Sequence, residues 1–114
     1  MTFRKLATEH SILIFQAHPF RPGLTREDPQ YLDGVEVLNG NPRHDSHNDL
    51  AANFAEVNHL YISAGSDCHR LEDVGRSGIM TNDRIQNMDI LRRHLSEPDI
   101  DIIEAQEGSD KGEN

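Results

Sequence analysis

The sequence predicts an α/β fold built on parallel strands. Short apolar runs alternate along the chain with segments of helical periodicity, and that alternation is the mark of βαβ units. The runs are Ser11–Ala17 (SILIFQA), Gly34–Leu38 (GVEVL) and Leu60–Ala64 (LYISA). The first is almost continuously apolar and rich in β-branched residues, as a strand buried on both faces is.

Taken in order, residues 1–10 read as the end of a helix, with Phe3 and Leu6 on one side. The strand at Ser11–Ala17 stops at His18-Pro19, because proline cannot donate to a ladder. Residues 19–33 hold Pro19, Pro22, Gly23 and Pro29 among several charges, which predicts a long loop with a helical turn in it. The second strand, Gly34–Leu38, runs into the turn residues Asn39-Gly40-Asn41-Pro42. Asp45–His59 then shows Leu50, Phe54 and Val57 at helical spacing, with Ala51 and Ala55 beside them. Asp45 or Ser46 is its expected N-cap. The third strand, Leu60–Ala64, ends in Gly65-Ser66-Asp67, and a charged loop follows through Arg76. Ile79–Thr81 is a short fourth strand. Residues 82–95 form a second helix with Ile85, Met88, Leu91 and Leu95 inward and Asn82 or Asp83 as cap, and Asp101–Ala105 is a last strand. Residues 1–105 thus read as one unit, and the polar, Gly-containing stretch 106–114 as a disordered acidic tail.

Composition narrows the function classes. The chain has 114 residues, 35% of them hydrophobic, with no Trp. That is thin for a self-sufficient core, as in a piece of a larger layered fold. The formal net charge of −9 argues against direct nucleic-acid binding, which needs clustered Lys and Arg, and against anionic membranes. A phosphate substrate would need bound cations to reverse the local field. Cys68 is the only cysteine, so no internal disulfide forms. Residues 1–15 lack the apolar run and cleavage site of a signal peptide, and no stretch approaches the roughly 20 apolar residues of a membrane span. The expected compartment is the cytoplasm.

In parallel α/β folds chemistry sits at the carboxyl ends of the strands. Here the first strand ends in His18, the second carries Glu36 and runs out at Asn39, and the third ends in Asp67 with His69 two residues on. In an extended segment alternate residues share a face, so Asp67 and His69 are expected to point one way and Cys68 the other. A carboxylate and an imidazole together suit Zn, Mn or Fe. Gly65 would let the backbone bend closely at the strand end. Blander readings stand beside these. His18 reads equally as a solvated loop residue, and Glu36 as one half of a salt bridge to an arginine. His44 and His47, three apart at a helix start, read as surface residues. His10, His59 and His94 have no organised neighbours.

The order of three motifs carries a resemblance. Ala17-His18-Pro19-Phe20, then Asp33-Gly34-Val35-Glu36-Val37-Leu38-Asn39-Gly40, then Ala64-Gly65-Ser66-Asp67-Cys68-His69 resembles the carboxyl-terminal half of PHP (polymerase and histidinol phosphatase) domains. Glu72-Asp73-Val74-Gly75-Arg76 and the helix after Thr81 add to it, over roughly residues 8–105. The resemblance implies part of a distorted β/α barrel and metal-dependent hydrolysis of a phosphate ester. It implies metal-ligand roles for His18, Asp67 and His69, and a divalent cation (Zn, Mn or Fe) as cofactor. His69 is in addition a catalytic candidate. Arg21, Arg70 and Arg76 lie in loops beside these residues and are candidate clamps for the phosphate, with surface salt bridges as the equal alternative. Glu36 and Asn39 match recurrent positions and are candidates for a supporting role. The family's opening His-x-His motif occurs nowhere in this chain, so the expected partners are a phosphate ester, an amino-terminal PHP half, or a second copy. The alternative is a non-catalytic remnant or metal-binding interaction module.

Overall fold

A computed structural model describes residues 2–97 and 100–105. Its elements in chain order are helix α1 (Phe3–Glu9), strand β1 (Phe15–Gln16), strand β2 (Gly34–Asn39), helix α2 (Asn48–Val57), strand β3 (Tyr61–Gly65), strand β4 (Ser77–Met80), helix α3 (Met88–Leu95) and strand β5 (Asp101–Glu104). Single 3-10 turns stand at Pro29–Tyr31 and Leu71–Asp73. The tail expected to be disordered, 106–114, lies outside the described residues.

β1, β2 and β3 form a parallel sheet in that order, as the alternation of strand and helix requires. β2 is its centre. Val35 is fully buried, and Leu32, Val37 and Ala55 close around it with Ile14, Phe54, Leu60, Ile62 and Ile102. α2 lies against β2 through Ala51 and Ala55, both buried; small side chains let helix and sheet approach closely. Gly34 is required where β1 and β2 meet. A Cβ there would fall 2.3 Å from the Phe15 ring and 2.6 Å from the Tyr61 carbonyl oxygen.

Several expectations need correction. β1 covers two residues rather than Ser11–Ala17, because Asp33 intrudes on the stretch before it. The Asp33 backbone N–H bonds to the Ile14 carbonyl, and the Ile14 N–H donates to the Asp33 carboxylate. β4 and β5 pair antiparallel in a separate sheet, so the strands are not all parallel, and no closed barrel forms among the described residues. α2 begins at Asn48 rather than Asp45, after His47 in a left-handed conformation. Asp45 and Ser46 are spent instead on turn and site contacts. On α2 the buried stripe is the alanines, while Leu50 and Val57 are exposed. α3 begins at Met88, capped by Asn87, whose side chain accepts from the Ile90 N–H. Ile85 and Met88 are exposed, and His94 is the buried residue of that helix, with Asp83 and Glu97 beside its two ring nitrogens at 3.7 and 3.4 Å.

Candidate site at the carboxyl edge of the parallel sheet

The strand ends gather a connected set of polar side chains. The element that makes this possible is a bulge. Glu36 pairs with Ser63 and Leu38 with Ala64, so β2 carries one residue more than β3 between them. In an unbroken strand residues three apart face opposite sides. The extra residue removes that parity, as bulges beside sites do, and Asn39 Nδ2 donates to Glu36 Oε1 at 2.9 Å.

From that pair the network runs both ways. His18 donates its backbone N–H to the same Glu36 oxygen at 2.9 Å. Asn39 Nδ2 also donates to Asp67 Oδ2 at 3.1 Å. Arg21 Nη2 donates to Asp67 Oδ2 at 2.9 Å and to Ser46 Oγ at 3.0 Å. Arg21 reaches this place because a turn closes between the His18 carbonyl and the Arg21 N–H. The guanidinium holds the Asp67 carboxyl below the usual carboxylate range; the Asn39 hydrogen bond assists, and burial opposes. Glu36 therefore accepts hydrogen bonds from the His18 N–H and the Asn39 amide, where the sequence offered a salt bridge to an arginine as the bland alternative.

Two expected ligands sit on unusual backbone. His18 has φ 30° and Asp67 φ 50°, each just beyond its strand. Asp and His enter the left-handed region more readily than most residues, yet such conformations cluster where function demands them. The same fact corrects the alternation argument for Asp67, Cys68 and His69: the segment is turned, not extended. Proximity survives by another route. His69 Nδ1 lies 3.0 Å from the Asp67 carbonyl oxygen and 3.6 Å from Asp67 Oδ1. A carbonyl oxygen only accepts, so the contact calls for the proton on Nδ1, the tautomer in which Nε2 is the ring's acceptor. That is the arrangement in which metal-binding histidines are usually held. Cys68 is exposed. Gly65 adopts no left-handed conformation; a Cβ there would lie 3.4 Å from Glu36 Oε2.

Whether these residues fit a divalent cation has two answers. Their donor chemistry fits, and His18 Nδ1 is buried without a hydrogen-bond partner, as an unused ligand atom would be. Their grouping supplies a pair, Asp67 with His69; among the described residues no three His, Cys, Asp or Glu side chains are gathered around one point.

The arginines separate. Arg21 is inside the network. Arg76 lines a polar cavity of about 500 Å³ together with Asn39, Ser46 and His44, so two network residues face it. The exposed Arg70 joins through its backbone N–H, which donates to Asp73 at 3.1 Å. Sequence reasoning missed Asn41, Ser46, Arg43 and Asp73. Asn41 donates to the Asp67 carbonyl oxygen at 3.1 Å, and its only sequence signal was that of a turn residue. Asp73 is fully buried and accepts from Arg43 Nη1 at 2.9 Å, from Arg43 Nη2, and from the His69 and Arg70 backbone N–H groups. Arg43, then His69, hold its carboxyl well below the usual range.

No helix among the described residues is long and apolar enough to cross a membrane. No curated protein and no solved structure matches the chain. Residues 45–99 match the family model described as PHP-associated, a span that takes in Ser46, Asp67, His69 and Asp73. Over those residues, which supply one side of the network, the chain is similar to the PHP-associated family.

Proposed function

We propose that the strand-end network is the carboxyl-terminal share of a metal-dependent phosphoesterase site, on an arc of a larger β/α barrel. The observation that carries this reading is the continuity of the network. His18, Glu36, Asn39 and Asp67, from three parallel strand ends, form one unbroken chain of hydrogen bonds. In this reading His18, Asp67 and His69 are ligands to a zinc, manganese or iron ion, with His69 presenting Nε2. The remaining ligands come from an amino-terminal half, which would carry a His-x-His. Bound metal would supply a water of lowered pKa and positive charge against the phosphate. Glu36 and Asn39 orient the His18 turn and the Asp67 carboxylate. Arg21, bonded to Ser46, and Arg76, which lines the cavity that Asn39 and Ser46 face, hold phosphate oxygens, and Arg70 approaches from solvent. His69 would in addition help to orient the attacking water or the leaving group.

The test is reconstitution. The chain is mixed with an amino-terminal PHP half, and manganese-dependent hydrolysis of p-nitrophenyl phosphate is measured. Turnover that disappears with His18→Ala or Asp67→Asn is the expected result. A reconstituted pair that binds manganese and cleaves no phosphomonoester defeats the catalytic reading.

One observation favours a second, non-catalytic reading. Arg21 already neutralises Asp67, so this carboxylate is satisfied without a metal, as in a remnant that serves as an interaction module. That reading predicts manganese affinity indifferent to His18→Ala and Asp67→Asn.

A further inference from the structure

The loop that carries Asp67 and His69 is fastened by a residue outside the ligand set. Asp73 is fully buried, and a buried carboxylate is costly unless its oxygens are filled. Here both oxygens are filled. Arg43 grips Oδ1 and Oδ2 with its two terminal nitrogens. The His69 N–H reaches Oδ2 at 3.0 Å and the Arg70 N–H at 3.1 Å. Arg43 is fixed in turn: its own backbone N–H donates to Asn41 Oδ1 at 2.9 Å, and Asn41 Nδ2 donates to the Asp67 carbonyl oxygen. That carbonyl is the one facing His69 Nδ1. The ring therefore hangs between two clamped points, its own backbone N–H and the Asp67 carbonyl. Its side chain is 69% exposed, so packing does little to hold it.

We propose that Asp73, with Arg43 as its counter-ion, is the positioning residue of this site: it fixes the His69 backbone so that Nδ1 stays on the Asp67 carbonyl and Nε2 faces the cation position. The proposal rests on the reading of His18, Asp67 and His69 as ligands. Outer residues that orient a ligating histidine typically change metal affinity by about 10- to 100-fold.

The experiment uses the full 114-residue chain and histidine ring resonances in NMR, with added Mn2+ as a paramagnetic probe. In the parent chain Mn2+ broadens the rings of His18 and His69. In Asp73→Asn the His69 ring resonances move toward those of exposed His44, and the Mn2+ needed to broaden them rises by roughly 10-fold or more, while His18 still responds. Arg43→Met acts in the same direction. Where Asp73→Asn does not fold, Arg43→Lys serves in place of both: it keeps a positive charge beside the buried carboxylate and loses the two-nitrogen grip. A purely structural role would lower the melting temperature and leave the His69 ring shifts of the folded variants where they were; that result overturns the proposal. If Mn2+ broadens neither His18 nor His69 in the parent chain, the ligand assignment itself falls, and the proposal with it.

Discussion

The two sheets of this molecule handle burial in opposite ways. In the parallel sheet Val35 is fully enclosed, α2 closes over it with alanines, and the buried polar residues Asn39, Asn41, Ser46 and Asp73 all have partners. In the antiparallel pair Met80 and Ile103 stand exposed, and Met88 of α3 is 75% exposed. There the buried polar residue is His94, whose Nε2 lacks a hydrogen bond. The lesson concerns layers. A parallel sheet with a helix on it makes a dry interior, and its strand ends concentrate donors and acceptors where the ladder stops. A two-stranded ribbon covered by little else does neither.

Substitutions at the two sheets should differ accordingly. The largest effect is expected for Gly34→Ala, because the new methyl would overlap the Phe15 ring and the Tyr61 carbonyl. Overpacking against backbone costs roughly 3 kcal/mol or more, read as a lowered urea midpoint. Val35→Ala should cost about 2 kcal/mol, the transfer of two methyl groups plus a residual cavity. Met88→Ala, in the open region, should stay within about 0.5 kcal/mol. Equal losses for Val35 and Met88 would mean that the second region is covered in solution, by a second copy for instance, and sedimentation at two concentrations would reveal it.

The same contrast explains what the sequence made legible. β2 and β3 were readable because each is a short, largely apolar run, with Val35, Val37 and Leu38 in one and Ile62 and Ala64 in the other, bounded by turn residues. β1 was overestimated since apolarity alone does not reveal that the Asp33 carboxylate claims the Ile14 N–H. The inward face of α3 was misjudged because periodicity reports an amphipathic stripe and not whether anything covers it. In the site, His18, Glu36, Asn39 and Asp67 could be placed from strand ends, but the reason they meet is the bulge before Leu38. A one-residue offset between strands leaves no mark in either strand's own composition. The role of Asp73 was invisible for a related reason: its worth lies in Arg43, 30 residues away in the chain.

Acid should separate the regions next. Asp67 and Asp73 both titrate below the ordinary carboxylate range in the folded chain, while in the unfolded chain they titrate near 4, roughly. As pH falls the unfolded state takes up protons first. These groups therefore stabilise the fold fully above about pH 5 and lose that contribution as pH drops toward their folded values. Urea midpoints should be flat with respect to these groups near neutrality and fall on the acid side. Arg43→Met should flatten the acid limb, because Arg43 is the principal cause of the Asp73 shift. An unchanged acid slope in that variant would assign the acid sensitivity to other carboxylates.

Within the parallel sheet, the smallest expected effect is also the sharpest probe of the network. Ser46 is buried and accepts from Arg21 Nε at 3.3 Å and Nη2 at 3.0 Å. Ser46→Ala removes an acceptor that steers the guanidinium and leaves the Arg21–Asp67 pair otherwise whole. A net hydrogen bond of this kind contributes about 1 kcal/mol. If the strand-end cluster behaves as a unit, combining Ser46→Ala with Asn39→Ala should not give the sum of the two single losses, since Asn39 donates to Asp67 Oδ2 and Ser46 steers its other donor, Arg21. Strict additivity within about 0.3 kcal/mol would mean that Asp67 is held by independent contacts. The parallel sheet would then differ from the ribbon in burial alone, not in having a coupled polar edge.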